Sequence, residues 1–182
     1  MSAHRVDRRP ADAEWTADYH GRLIATVEGD AAIDVLNGQT FWMCELASHV
    51  SAEQIDRVHP PHSWTVRQVI AHCVDVEHVF VARMLHAAAG DPTPMAGFDE
   101  NAYADARFGL GNLSHLIAEW GFARMSLVAM LRRIRPACWD RRGTIDGDAM
   151  TLRAMAWFTA AHARHHLSTI EDRIGIRVQR VG

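Results

Sequence analysis

The chain has 182 residues, of which 48% are hydrophobic and 23% charged, with a formal net charge of −3. That length suits one domain with a real core, and the composition excludes a disordered or fibrous chain. All 19 basic residues are arginine, set against 22 acidic ones, which excludes a polybasic nucleic-acid binder.

Residues 1–29 read as an N-terminal extension with a short leading helix near 12–27, and they carry no apolar signal core after the first charges. From Ala31 to Val50, the spacing of Ile33, Leu36, Thr40, Cys44 and Ala47 predicts the first long helix. His59-Pro60-Pro61-His62-Ser63 is a breaker with Ser63 as the expected N-cap, so a second helix is predicted from Trp64 to about Ala88. Pro92, Pro94, Gly97 and Gly109 then mark a connection between Gly90 and Gly111, too long for an ordinary helix-to-helix loop, and therefore a lid or a crossover. A third helix follows from Asn112 to Arg135, stopped by Pro136. A turn-rich stretch from Asp140 to Asp148 leads to a fourth helix, Ala149 to Ile174, with Gly175 as its left-handed cap. Four long helices and no convincing strand predict an all-α four-helix bundle over residues 30–175, with 176–182 as a C-terminal tail. No apolar run approaches the ~20 residues of a membrane span, so no membrane contact is expected. Cys44, Cys73 and Cys138 are odd in number and suggest no disulfide framework, which points to a reducing, cytoplasmic setting.

The chemistry concentrates in the 12 histidines, three of them in His162-Ala-Arg-His165-His166. At 100° per residue His162 and His166 stack one turn apart on the face of Met155, Phe158 and Thr169, so two imidazoles can reach one metal ion. His165 lies off that stripe and is left out of the site. A third ligand must come from another helix, and His72, at the edge of the apolar stripe of the second helix, is the best candidate. His78, His115 and His86 sit on polar arcs or near a helix end, and His59 and His62 in a loop, where the solvated reading wins. Three neutral imidazoles without thiolate or carboxylate leave an open coordination position, the layout of a catalytic rather than a structural zinc, and they also suit nickel, iron or copper.

Other polar residues have plainer readings. Glu77 and Arg124 fall inside apolar stripes, which predicts a buried ion pair between the second and third helices; the alternative is that Glu77 orients a ligand histidine or acts as a base. Asp75 is expected to be solvated. Cys44 and Cys73 are expected to pack as hydrophobes. Trp157 projects opposite the histidine stripe, where it would be exposed unless it met a second copy of the chain.

The segments Trp64-Thr-Val-Arg-Gln-Val-Ile-Ala-His72-Cys-Val-Asp75-Val-Glu77 and Ala161-His162-Ala-Arg-His165-His166-Leu resemble the two ligand segments of the DinB-like (YfiT-like) family. Phe98-Asp-Glu-Asn-Ala-Tyr103 and Trp139-Asp-Arg-Arg-Gly143 resemble its connecting segments, so the likeness spans roughly 30–175. The resemblance implies an up-down-down-up bundle with one long crossover loop and a divalent metal (zinc, nickel or iron) held by His72, His162 and His166. It also implies a homodimer and a small-molecule substrate, with chemistry of a thiol S-transferase, isomerase or hydrolase type. A low-molecular-weight thiol such as mycothiol is a candidate cosubstrate, and the all-arginine basic set fits a GC-rich, mycothiol-using host. Arg83 and Arg107 are candidates for holding an anionic substrate. The rival reading is a non-catalytic metal-binding protein, related to stress or to protein interaction. Ala163 stands where family members often carry an acidic residue, so a partner for a ligand histidine has to come from elsewhere.

Overall fold

The computed structural model describes residues 6–107, 109 and 111–178. Its helices are α1 (Asp18–Ala25), α2 (Ala32–His49), α3 (Ala52–Ile55), α4 (Val66–Ala89), α5 (Glu100–Ala106), α6 (Leu113–Leu131) and α7 (Leu152–Ile174). A two-stranded antiparallel hairpin, β1 (Arg142–Ile145) and β2 (Asp148–Thr151), precedes α7.

Local chemistry sets the ends of these elements. α4 starts one turn's fraction later than Ser63 implied: the Thr65 hydroxyl accepts from the Gln68 amide at 3.1 Å, and the Gln68 side chain accepts from the Thr65 amide at 2.9 Å. Ser63 is followed three residues on by Val66, which cannot return such a bond, so Thr65 wins the cap. Gly90 and Gly175 close α4 and α7 with φ of 75° and 71°, the left-handed geometry that glycine adopts without strain. α6 ends at Leu131, short of Arg135, because Arg135 precedes a proline and takes extended geometry. The hairpin corrects the strand-free expectation for 140–151. Its turn residues Asp146 and Gly147 have φ of 52° and 94°, which is what an Asp-Gly pair supplies between two strands.

α2, α4, α6 and α7 form the bundle; α4 packs against α6 and α7, and α2 against the same two. One apolar cluster joins Leu36 at the start of α2, Met84 and Leu131 at the ends of α4 and α6, and Met155 at the start of α7. A second joins Leu46 at the end of α2, Val69 and Leu116 at the starts of α4 and α6, and Ile170 late in α7. α2 and α7 therefore run one way and α4 and α6 the other, the up-down-down-up order, and the parallel pair α4 and α6 needs the long crossover between them.

The segment before α2 is part of the core. Leu23, Ile24 and Val27 are buried in the first cluster. The Glu14 carboxylate accepts from Thr151 at 2.7 Å and from Arg153 at 2.8 Å. The Trp157 indole donates to the carbonyls of Asp7 and Arg8 at 3.0 and 2.8 Å. Trp157 is thus fully buried by the chain's own N-terminal segment, which corrects its expected role at an oligomer surface. Cys44 is exposed, against expectation, while Cys73 and Cys138 are buried free thiols. Among the described residues no helix is long and apolar enough to cross a membrane.

Between the two clusters lies a polar layer. Arg124, 1% exposed, donates from Nε to Glu77 at 3.0 Å and from a terminal nitrogen to the side-chain oxygen of Gln39 at 2.7 Å. Gln39 in turn donates to the Ala160 carbonyl at 2.6 Å, so α2, α4, α6 and α7 each contribute one partner. The guanidinium also lies over the Trp120 ring at 4.7 Å. Removing one member leaves a buried charge without its counterpart. The substitution Arg124→Met is therefore expected to cost about 3–5 kcal/mol in urea unfolding, and Glu77→Leu added to it is expected to recover part of the loss.

Candidate metal centre

His72 sits on α4 and His162 and His166 on the antiparallel neighbour α7, one helical turn apart. Their donor nitrogens converge: the Nε2 atom of His162 lies 3.0 Å from that of His72 and 3.1 Å from that of His166, and one donor atom from each falls within 4.8 Å of the others. Four tetrahedral ligands at zinc–nitrogen distances of about 2.0–2.1 Å stand about 3.3 Å apart, so the spacing fits a first-row ion. His165 is exposed with its ring 5.1 Å from that of His166, outside the converging group.

Burial makes the three rings proton-free. His72 and His162 are 3% and 7% exposed. Burial pushes His72 down to about 4, against a smaller opposing pull from the Asp75 carboxylate. His162 and His166 lie well below the usual imidazole value, first through burial and then through the other histidines, with Arg124 adding to the effect at His162. Neutral imidazoles offering lone pairs into one space could hold a metal ion, which a charged cluster could not.

Aromatic rings fix the cluster in place. Trp64 meets His72 edge-on at 5.2 Å, Phe98 stacks on the same ring at 5.8 Å, and Phe158 lies 6.1 Å from His162. The Nδ1 atom of His72 is buried with no hydrogen-bond partner among the described residues, so packing rather than a carboxylate orients this ring. Glu77 and Arg124 are brought together, and the hydrogen bonds of the Glu77 carboxylate go to Arg124 and to none of the three imidazoles. Asp75, expected to be solvated, is half-buried and ion-paired with Arg107, which follows α5. That pair and the backbone bond from Met95 to Thr144, 2.8 Å, hold the crossover against α4 and the hairpin, so that Phe98 walls the site. His78 and His115 are exposed, His59 bonds the Gln54 carbonyl and His86 the Thr93 carbonyl.

A pocket of about 240 Å³ opens beside His72 and His162, walled by Phe80, Phe98 and Phe158 with His20, Arg83 and Asp148 among its polar groups. No spacing in the sequence marks His20, which lies alone on the short helix α1 before the bundle. Its ring stands edge-on to Phe158 at 4.8 Å, and burial holds it below the usual imidazole value.

Fold and site together define a four-helix bundle with a three-histidine cluster at the wall of a pocket. The DinB superfamily model matches residues 43–170, a range that contains all three histidines, and the chain belongs to that superfamily. Among solved structures the chain is similar to YfiT from Bacillus subtilis, described as a probable metal-dependent hydrolase with an unusual four-helix bundle topology. The TM-score is 0.67 at 16% identity, covering 94% of this chain and 99% of that one, a likeness of fold. No curated protein matches.

The depressed imidazoles give a signed pH dependence. An unfolded chain binds protons on these histidines near pH 6.5, whereas the folded one binds them only at lower pH, about 4 for His72 and well below the usual imidazole value for His162 and His166, so the unfolded state gains protons first. The stability of the chelator-treated protein is expected to be complete above pH 6.5. It should fall as pH drops toward 4, by about 1.4 kcal/mol per pH unit for each buried imidazole. Urea unfolding across this range, with His72→Phe flattening the slope, checks it.

Proposed function

We propose that this chain is a metal-dependent enzyme in which His72, His162 and His166 hold one divalent transition metal and the adjoining pocket takes a small-molecule substrate. The observation that carries the reading is the convergence of donor nitrogens from buried His72 and His162 and half-buried His166, the first two lining a pocket of about 240 Å³. A structural site would be closed; this one leaves room beside the ligands.

When bound there, zinc, nickel or iron supplies Lewis acidity and lowers the pKa of a water or thiol nearby. The protein's own groups do the rest. The three imidazoles keep their lone pairs at neutral pH because burial excludes their protons. Phe80, Phe98 and Phe158 give the pocket apolar walls beside the imidazoles. His20, neutral for the same reason as the ligands, can accept a proton from a group in the pocket.

Hydrolysis is the reaction favoured by the similarity to YfiT, described as a probable metal-dependent hydrolase. Transfer or isomerisation with a low-molecular-weight thiol such as mycothiol is the alternative reaction of the same site. A purely metal-binding role would not require the pocket.

Protein purified without tag or chelator is expected to carry about one first-row metal per chain, and His72→Ala or His162→Ala to lose it. The loaded protein is then assayed on activated esters and amides, and on alkylating electrophiles with and without mycothiol. Turnover abolished by chelation and by His162→Ala supports the enzyme; full metal occupancy with no turnover on either panel favours the non-catalytic role.

A further inference from the structure

Arg83 differs from the other buried arginines. Arg124 is matched by Glu77, and Arg153 by Glu14 and Asp140. Arg83 is 9% exposed, yet among the described residues its hydrogen bonding is limited to the Ala96 carbonyl at 2.9 Å, and its guanidinium rests on the Phe80 ring at 5.0 Å. Among the described residues no carboxylate pairs with it. A buried cation without a counter-charge costs free energy unless something compensates. Burial accordingly lowers its pKa, with Tyr103 and Asp146 opposing from a distance.

Arg83 lines the same pocket as His72 and His162. We propose that Arg83 is the anchor for the carboxylate of a small organic substrate, which it holds in the pocket beside the three histidines. This deepens the enzyme reading above and rests on it for the identity of the pocket.

Size and charge narrow the ligand. About 240 Å³ holds a molecule of several heavy atoms, given that a water occupies about 30 Å³. The guanidinium keeps donors beyond the one spent on Ala96, and planar carboxylate matches that fork. The remaining charges are negative: Asp146 and Glu100 are exposed, and Asp148 is half-buried, accepting from the Thr16 hydroxyl at 2.9 Å. A compact dianion such as phosphate meets these carboxylates, whereas a monocarboxylate with a neutral or cationic far end does not. The aromatic walls accept the carbon chain.

The test uses the purified, metal-containing protein and three probes, propionate, alanine and inorganic phosphate, followed by heteronuclear NMR. Propionate and alanine are expected to shift signals of the pocket residues and to bind more tightly than phosphate. Arg83→Gln should weaken both carboxylates by about tenfold to a hundredfold, the size of a lost charge-assisted hydrogen bond, and Arg83→Lys should weaken them less. Propionate should also protect Arg83 of the wild-type chain from phenylglyoxal, which keeps the test valid if Arg83→Gln fails to fold. Equal binding to Arg83→Gln, tighter binding of phosphate, or no wild-type binding would overturn the assignment. Metal content is measured on every sample: a chain that holds carboxylates through Arg83 but takes up no metal contradicts the metal-enzyme reading alone, and a metal-loaded chain indifferent to Arg83 contradicts the anchor alone.

Discussion

The link through Gln39, Glu77, Arg124 and the Ala160 carbonyl is the constraint on which the site depends, because it fixes how far each bundle helix slides along its neighbours. Purely apolar seams tolerate a shift of one turn, about 5.4 Å, with modest repacking. A 3.0 Å approach between His72 on α4 and His162 on α7 does not tolerate it. Glu77 lies on α4 just after His72, and Ala160 lies on α7 just before His162, so the polar layer sits directly against the histidines. A buried ion pair contributes little net stability, and its value in this protein is best read as register.

The molecule is layered along the bundle axis. Apolar clusters occupy both ends, and the polar layer and histidines fill the middle. Burial there lowers the pKa of the imidazoles, and the guanidinium of Arg124 adds to that effect at His162. Solvent reaches this layer through the pocket framed by α1, α4, the crossover and the hairpin. The N-terminal segment and crossover, which lie outside the four bundle helices, therefore give the site its shape: His20 and Phe98 come from them.

Much of this was legible in the sequence. The four helices follow from apolar spacing, and the inward stacking of His162 and His166 follows from 3.6-residue periodicity. Glu77 and Arg124 announce themselves as charges in apolar stripes. What the sequence hid was tertiary. Helix faces alone misplace Trp157 and Cys44: the N-terminal segment covers one, and the groove between α2 and α6 leaves the other exposed. Asp75 reads as a surface acid until Arg107 arrives from across the crossover. The hairpin had a local signal in Asp146-Gly147, outweighed by the surrounding helices. His20 had none, because only the packing of α1 against α7 brings it to the pocket.

The central claim is that these three histidines together bind one ion, and X-ray absorption spectroscopy of the zinc-loaded protein tests it most directly. The account predicts three imidazole nitrogens at about 2.0–2.1 Å, with a further light-atom scatterer in the open position, and loss of one imidazole shell in His72→Ala. A coordination shell with fewer than two imidazoles, or one that His72→Ala leaves unchanged, would contradict it.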